Sequence, residues 1–228
     1  MKAILLFAAA LILSIDSFCQ DKGFVSINLG PAIPMGDFGS TALNNEDAGF
    51  AKTGYFADLS FGYKLGTNIG VGATLRTQSN GIDKDAILSF YQIFGISEEI
   101  TIKADPYSCN GLLGGLYGSF PIKGKTSFDF RGFVGFMSCE RPEITMSITA
   151  FGFTESFTLP GASGTSFAYL LGAGLKIDVS NRVCLNTGID FLSTSPEFKL
   201  EDPDTGEVDK YTQSISTINI GVGVGLRL

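Results

Sequence analysis

The sequence predicts an all-β fold, an eight-stranded antiparallel up-and-down transmembrane β-barrel, and three observations support this. Eight segments alternate between apolar and polar residues at period two, as half-buried strands do. Their connections are alternately short and long, which is typical of a meander with all tight turns at one end. The composition also fits, because 29 of the 228 residues are glycine and only 17% are charged.

The predicted strands are joined in pairs by three tight turns. Gly66 joins strands two and three, Gly124 joins strands four and five, and Ser180-Asn181 joins strands six and seven. Glycine, serine and asparagine are residues that turns favour. We predict the eight strands at residues 24–34, 53–65, 68–80, 108–120, 127–140, 165–178, 182–194 and 213–227.

One face of each predicted strand is apolar and carries no charge; in strand six it holds Phe167, Tyr169 and Leu171. The opposite face carries glycine, serine, asparagine and a few charges of both signs, which suits a tight interior. The alternative is a soluble barrel with the apolar face inside, but a water-exposed sheet usually carries many long Lys and Glu side chains. We therefore predict that the apolar face contacts lipid.

Ten charged side chains are predicted to point into the lumen. The lumen of an eight-stranded barrel is just wide enough for side chains to fill, so we favour a paired network that plugs it over a narrow path for ions or small solutes. The ten residues are Asp58, Lys64, Arg76, Asp129, Arg131, Lys176, Asp178, Arg182, Asp190 and Arg227.

Two cysteines are predicted to lie directly opposite each other on the inner face, toward the long-loop end. If strands four and five stay in phase across the turn at Gly124, Cys109 pairs with Cys139. An exported protein meets an oxidising compartment, so a disulfide and two free thiols are both open at this stage. Cys184 is then a single small residue of the lumen.

The N-terminus predicts export. Residues 1–19 have a cation at Lys2, an apolar run and small residues before a cleavage position, so we predict a signal peptide followed by a barrel domain at 20–228. A lipoprotein modified at Cys19 is the less favoured alternative, because Asp16, Ser17 and Phe18 do not form a lipobox. The predicted location is the outer membrane of a Gram-negative bacterium, with the lipid around the barrel as its partner.

The composition argues against an enzyme. The chain has no histidine, which excludes Ser-His-Asp triads and histidine-ligated zinc or haem. Gly124-Lys125-Thr126 ends like a phosphate-binding loop, but Ser119 stands where that loop needs its first glycine, and a strand follows instead of a helix. A net charge of −7 argues against a nucleic-acid partner. We expect no cofactor and a monomer.

The long loops are where an extracellular or periplasmic protein partner could bind. Residues 86–94 predict a short amphipathic helix, and residues 144–159 alternate like extensions of the strands. These apolar loops could contact a partner or ligand, or pack together and close the barrel. The carboxylates of residues 201–209 lack the ligand spacing of an EF-hand, so we predict a hairpin turn there and no calcium site.

Two terminal segments resemble a known family. GFVSINLGPAIPMGDF at residues 23–38 resembles the first strand of the PorT-like outer-membrane β-barrel domain family, and INIGVGVGLRL at residues 218–228 resembles its closing strand. The resemblance implies an eight-stranded barrel in a Gram-negative outer membrane with both termini in the periplasm, and it permits an accessory role in protein secretion. Leu228 departs from the aromatic residue that usually ends such barrels.

Overall fold

The computed structural model describes residues 22–42, 44–93, 99–150, 153–201 and 208–228. Eight strands form a closed antiparallel barrel in which each pairs with the barrel strands before and after it in the chain, and the last pairs with the first. The predicted fold class is therefore confirmed. The barrel strands, numbered with all others in chain order, are β1 (Gly23–Met35), β2 (Gly54–Lys64), β3 (Ile69–Asn80), β5 (Tyr107–Lys123), β6 (Thr126–Arg141), β9 (Ala162–Asp178), β10 (Val183–Thr194) and β13 (Ile215–Arg227).

The outer surface of the barrel is apolar and the inner surface is largely polar at mid-height. Ile27, Leu112 and Leu171 point outward, and each is more than half exposed. Asp58 and Arg76 point inward and are buried. This inversion of the soluble pattern is what lipid contact requires, because the bilayer core supplies no water to polar side chains.

The three tight turns lie at one end of the barrel, as predicted. Gly124 has a φ of +60°, the left-handed conformation that glycine adopts without strain. Ser180 closes the turn between β9 and β10, where its hydroxyl accepts hydrogen bonds from the backbone N–H groups of Arg182 and Val183. We call this end of the barrel the turn end and the opposite end the loop end.

Three barrel strands continue beyond the loop end as a second sheet. Its strands β4, β7 and β8 pair in the same order as β5, β6 and β9, the barrel strands that they adjoin in the chain. The described parts of residues 144–159, Ile144–Ala150 and Phe153–Leu159, thus extend the barrel strands as predicted, after an interruption at Pro142-Glu143 and at Pro160-Gly161. The added strands are β4 (Glu99–Ala104), β7 (Ile144–Ala150) and β8 (Phe153–Leu159).

The remaining loops also carry regular structure. Two paired antiparallel strands of the fourth long loop continue β10 and β13, while the second loop begins with a helix close to the predicted one. Within the described ranges, no helix is both long and apolar enough to cross a membrane. These elements are a 3-10 turn (Gly36–Gly39), α1 (Lys84–Ile93), β11 (Glu197–Glu201) and β12 (Val208–Thr212).

Two sequence predictions fall outside the described residues. The signal peptide at residues 1–19, with Cys19, is one of them. The other is the turn in the acidic loop, where residues 202–207 are not described.

Candidate functional site

Four buried charges cross the middle of the lumen, and we call Asp58, Arg76, Arg131 and Asp190 the charge quartet. Arg131 Nε lies 2.9 Å from Asp190 Oδ1, and its Nη2 lies 3.0 Å from Asp58 Oδ2 and also contacts Asp190 Oδ2. Arg76 Nη1 lies 3.4 Å from Asp58 Oδ2 and 3.8 Å from Asp190 Oδ2. Two guanidinium groups balance two carboxylates, so the quartet is electrically neutral. Each guanidinium also bridges both carboxylates, so the quartet joins opposite walls of the barrel.

The β-sheet register explains why these side chains meet. Asp58 and Arg76 are direct cross-strand partners on β2 and β3. Arg131 and Asp190 are separated by one strand and flank Gly172, which pairs with both. A Cβ at Gly172 would lie 2.0 Å from Asp190 Oδ1, so only glycine leaves the two side chains room to meet above β9.

Five of the six remaining predicted lumen charges lie inside the barrel toward the turn end. Lys176 Nζ lies 3.3 Å from Asp129 Oδ2 and donates to the Ser119 hydroxyl. Arg227 forms an ion pair with Asp178 across β13, β10 and β9. Lys64 is half-buried, and no carboxylate of the described chain lies within salt-bridge distance of it.

The prediction for Arg182 was wrong. This residue is exposed in the turn after β9 and does not point into the lumen. The predicted strand begins at residue 182, one residue before β10, and the chain is still in the turn at that position. Asp178, expected to face Arg182, is paired with Arg227 instead.

The loop half of the lumen is filled by apolar side chains that the sequence analysis missed. Leu113, Met137, Leu170 and Leu192 are all completely buried inside the barrel. The sequence does indicate them, because each belongs to a pair of adjacent large apolar residues. Adjacent residues of a strand point to opposite faces, so such a pair makes both faces apolar. These pairs are Tyr55-Phe56, Leu112-Leu113, Phe133-Val134, Phe136-Met137, Leu170-Leu171 and Phe191-Leu192.

The long loops fold over this apolar layer and close the loop end. Phe38 of the first loop is 1% exposed and packs edge to face against Tyr107, with ring centroids 5.1 Å apart. Phe198 of β11 is fully buried in the same cluster. Gln213 ties the first loop to the fourth, because its side-chain amide donates to the carbonyl of Asp47 at 3.0 Å. The first and fourth loops therefore pack together over the apolar layer.

Polar contacts fix the second loop against the first. The Asp83 carboxylate caps α1 by accepting a hydrogen bond from the Ala86 N–H at 3.1 Å, and it lies 3.1 Å from Lys52 Nζ. Partial burial raises the pKa of Asp83, but the Ala86 N–H and Lys52 lower it more, and the net shift is downward. Hydrogen bonds to Asp85 and Asp83 raise the pKa of Lys52.

The structure joins Cys109 and Cys139 in a disulfide between β5 and β6. The two residues are cross-strand partners with Cα atoms 4.1 Å apart, and both are buried in the apolar layer at the loop end. Cys184 is a free buried cysteine near the turn end, on the inner face of β10.

A cavity of about 130 Å³ lies between the charge quartet and the turn end. Aromatic side chains, including Phe24, Tyr117 and Phe133, form much of its wall. Its charged lining residues are Lys64, Arg131, Lys176 and Arg227, with Asp129 and Asp190. Glycines make room for the rings; a Cβ at Gly62 would lie 2.2 Å from Phe24 Cε1.

The sheet beyond the loop end has an exposed edge. Strand β8 pairs only with β7 in the described part of the chain, and all seven of its residues are exposed. Phe153, Phe157 and Leu159 are 79%, 60% and 55% exposed. The other face of the β7–β8 pair carries a ladder of hydroxyl contacts, such as Ser147 to Ser156 at 2.8 Å.

Comparisons with known proteins identify no family for this chain. No family model matches the chain, and no curated protein matches it. Among solved structures, it is similar to the neisserial surface protein A, with 13% identity over 90% of this chain and 97% of the other and a TM-score of 0.47. It is also similar to Ail, the attachment invasion locus protein of Yersinia pestis, with 17% identity over 91% of this chain and 99% of the other and a TM-score of 0.44. A third similar structure is a major outer membrane protein from Thermus thermophilus, with 10% identity over 90% of this chain and 99% of the other and a TM-score of 0.45.

Proposed function

We propose that this protein is an integral outer-membrane β-barrel of a Gram-negative bacterium, with a sealed lumen, that acts through the structures at its loop end. The apolar outer surface supports membrane insertion. The barrel strands have 11 to 17 residues, and a tilted strand needs roughly 9 to 11 to cross a bilayer, so every strand is long enough and most are longer. The additional length would carry the loop end beyond the membrane.

The observation that carries the sealed lumen is the presence of two filled layers in series. The side chains of Asp58 and Arg76 have no exposed surface, so neither side chain of this pair contacts solvent. Above it, Leu113, Met137 and Leu170 are fully buried. Ions would have to displace both a paired charge network and an apolar layer, which supports a plug over a pore.

The exposed edge of β8 supports a role in protein binding. Large apolar side chains that remain exposed in one patch are typical of interaction surfaces, and an unpaired strand edge can accept another strand. A strand of seven residues spans about 23 Å, so the patch would stand well clear of the barrel rim. The proposed partner is a protein that adds an extended segment to β8.

Membership of the PorT-like family and an accessory role in secretion remain predictions. The two segments that carry the resemblance are paired with each other in the structure, since β1 and β13 close the barrel. Periplasmic placement of the turn end follows from the same resemblance and from the short turns found there.

Ion conductance tests the sealed lumen. We expect the refolded protein in a planar bilayer to show no reproducible current steps. Reproducible steps from protein that is shown to be folded, by its shift in electrophoretic mobility on heating, would contradict the proposal.

Photo-crosslinking in the source organism tests the binding surface. A photoreactive phenylalanine analogue in place of Phe157 should give a discrete adduct with one protein. The same analogue in place of Lys199, which is exposed on β11, serves as the matched control and should give none. Equal adducts from both positions, or none from position 157, would contradict a specific role for β8.

A further inference from the structure

Within the described residues, the cavity at the turn end has three features of a ligand site: a cation without an ion pair, an unpartnered hydroxyl and an apolar wall. The lumen holds five cations and four carboxylates among the described residues. Arg76 and Arg131 are paired with Asp58 and Asp190, Lys176 with Asp129, and Arg227 with Asp178. Lys64 is the cation that remains, and it lines the cavity.

Tyr117 supplies the unpartnered hydroxyl. Its side chain is 6% exposed and lines the cavity, and its Oη has no hydrogen-bond partner in the described chain. A buried hydroxyl without a partner is unusual in a folded protein, because it loses its hydrogen bonds to water.

The register places this hydroxyl beside Lys64. Gly70 of β3 pairs with Lys64 on one side and with Tyr117 on the other. The Tyr117 ring lies over Gly70, since a Cβ there would be 2.5 Å from Cε1 and 2.7 Å from Cζ. The hydroxyl end of the ring is therefore directed across β3 toward the strand that carries Lys64.

The wall beside these two groups is apolar. Phe24 packs edge to face against Tyr117 with ring centroids 5.0 Å apart, and Phe133 also lines the cavity. A volume of about 130 Å³ is close to the roughly 150 Å³ of an engineered apolar cavity that binds benzene. Lys64 lies at the end of β2 and Arg227 at the end of β13, so the cavity reaches the turn end of the barrel.

We propose that this cavity binds a small monocarboxylate whose apolar part is the size of one aromatic ring. The Lys64 ammonium and the Tyr117 hydroxyl donate hydrogen bonds to the carboxylate, and Phe24 and Phe133 contact the apolar part. A carboxylate matches the site because it brings one negative charge to the unpaired lysine and accepts both hydrogen bonds. The charge quartet closes the inner end, so the ligand enters and leaves from the turn end.

Benzoate is the probe for this site, and benzamide is its neutral counterpart of nearly the same shape. In calorimetric titrations of the refolded protein in zwitterionic micelles, we expect benzoate to bind and benzamide to bind at least about tenfold more weakly, the effect of one charge-assisted hydrogen bond. Equal binding of the two compounds, or no binding of benzoate at millimolar concentration, would overturn the proposal.

Two variants locate the site. Lys64→Met should weaken benzoate binding about tenfold, and Tyr117→Phe should weaken it by a smaller factor. Lys125→Met is the matched control, because Lys125 is an exposed lysine in a turn at the same end, outside the cavity. Equal losses in the Lys64 and Lys125 variants would show nonspecific attraction and overturn the assignment.

Cys184 provides a test that needs no variant. Its thiol lines the cavity, so bound benzoate should slow its alkylation by a small thiol reagent, whereas benzamide at the same concentration should not. An alkylation rate that benzoate leaves unchanged would contradict binding at this site, even if calorimetry detects binding elsewhere.

Discussion

At the scale of single residues, the contacts between side chains in the lumen depend on where glycines leave space for them. Gly172 is the clearest case, since Arg131 and Asp190 meet above it. The polar and charged positions could be predicted from the alternation of each strand. Their partners could not, because pairing across the lumen depends on how the strands are staggered around the barrel.

Gly172→Ala should separate Arg131 from Asp190 and destabilise the barrel. The added methyl group displaces the Asp190 carboxylate, which leaves a buried charge pair with worse geometry, and we expect a loss of about 2 kcal/mol in the free energy of unfolding. Urea unfolding of the refolded protein in lipid vesicles measures this loss. Gly132→Ala on β6 is the control, because its Cβ would meet only Leu171 Cδ2 at 3.7 Å; equal losses in both variants would contradict the explanation.

Asp83→Ala should loosen the start of α1. Loss of the cap bond to Ala86 costs about 1 kcal/mol in such positions. Asp85→Ala is the matched control, since Asp85 is 86% exposed and makes only a surface ion pair with Lys52. Hydrogen exchange of the Ala86 and Ile87 amides should accelerate in the first variant and stay nearly unchanged in the second.

The pH dependence of this cap follows from the sign of its pKa shift. Because the folded-state pKa of Asp83 lies below its ordinary value, the carboxylate stabilises the loop above an ordinary pKa of about 3.9. That contribution is lost as the pH falls through the lower folded pKa. Protection of the Ala86 amide from exchange should therefore be independent of this group from about pH 7 to about pH 5 and decline below about pH 4. A decline that already begins near neutral pH would point to another group.

At the scale of elements, the strands were predictable and their endings were less so. Each barrel strand begins and ends within three residues of its predicted position. The Cys109 and Cys139 pairing followed from the same register, because both strands stay in phase across the turn at Gly124. The error at Arg182 came from a strand end, where the alternation no longer distinguishes a strand from a turn.

The thiol content of the chain tests the pairing of β5 with β6. For a chain that begins at Gln20, we expect one equivalent of iodoacetamide to react after unfolding without reductant, at Cys184, and three equivalents after reduction. Mass spectrometry of the alkylated protein gives these numbers directly. Three reactive thiols before reduction would show that Cys109 and Cys139 are not bonded in the isolated protein.

At the scale of the whole molecule, two layers of different chemistry lie in series in the lumen. The charge quartet lies at mid-height, and apolar side chains from the barrel and loops fill the space beyond it. This arrangement predicts that neither layer alone decides whether ions pass. Both layers lie between the loop-end sheet and the cavity at the turn end.

The variant Arg76→Ala, Arg131→Ala tests the two-layer arrangement. Removing both guanidinium groups weakens the quartet, but Leu113, Met137 and Leu170 remain in place, so we expect this variant to stay silent in a planar bilayer. Its folding is checked by the heat-dependent shift in mobility that the unmodified protein shows. Current steps from the folded variant would mean that the quartet is the only barrier to ions.

The sequence by itself determined the number of barrel strands, their limits to within three residues and which face of each strand is apolar, because these properties depend on the period of a single segment. It also determined the pairing of neighbours such as Cys109 and Cys139, since a tight turn fixes the register. Only the tertiary structure decided the contents of the lumen. The quartet, the apolar layer under Phe38 and Phe198, and the cavity beside Lys64 and Tyr117 join strands far apart in the chain, and their positions depend on the stagger of the closed barrel.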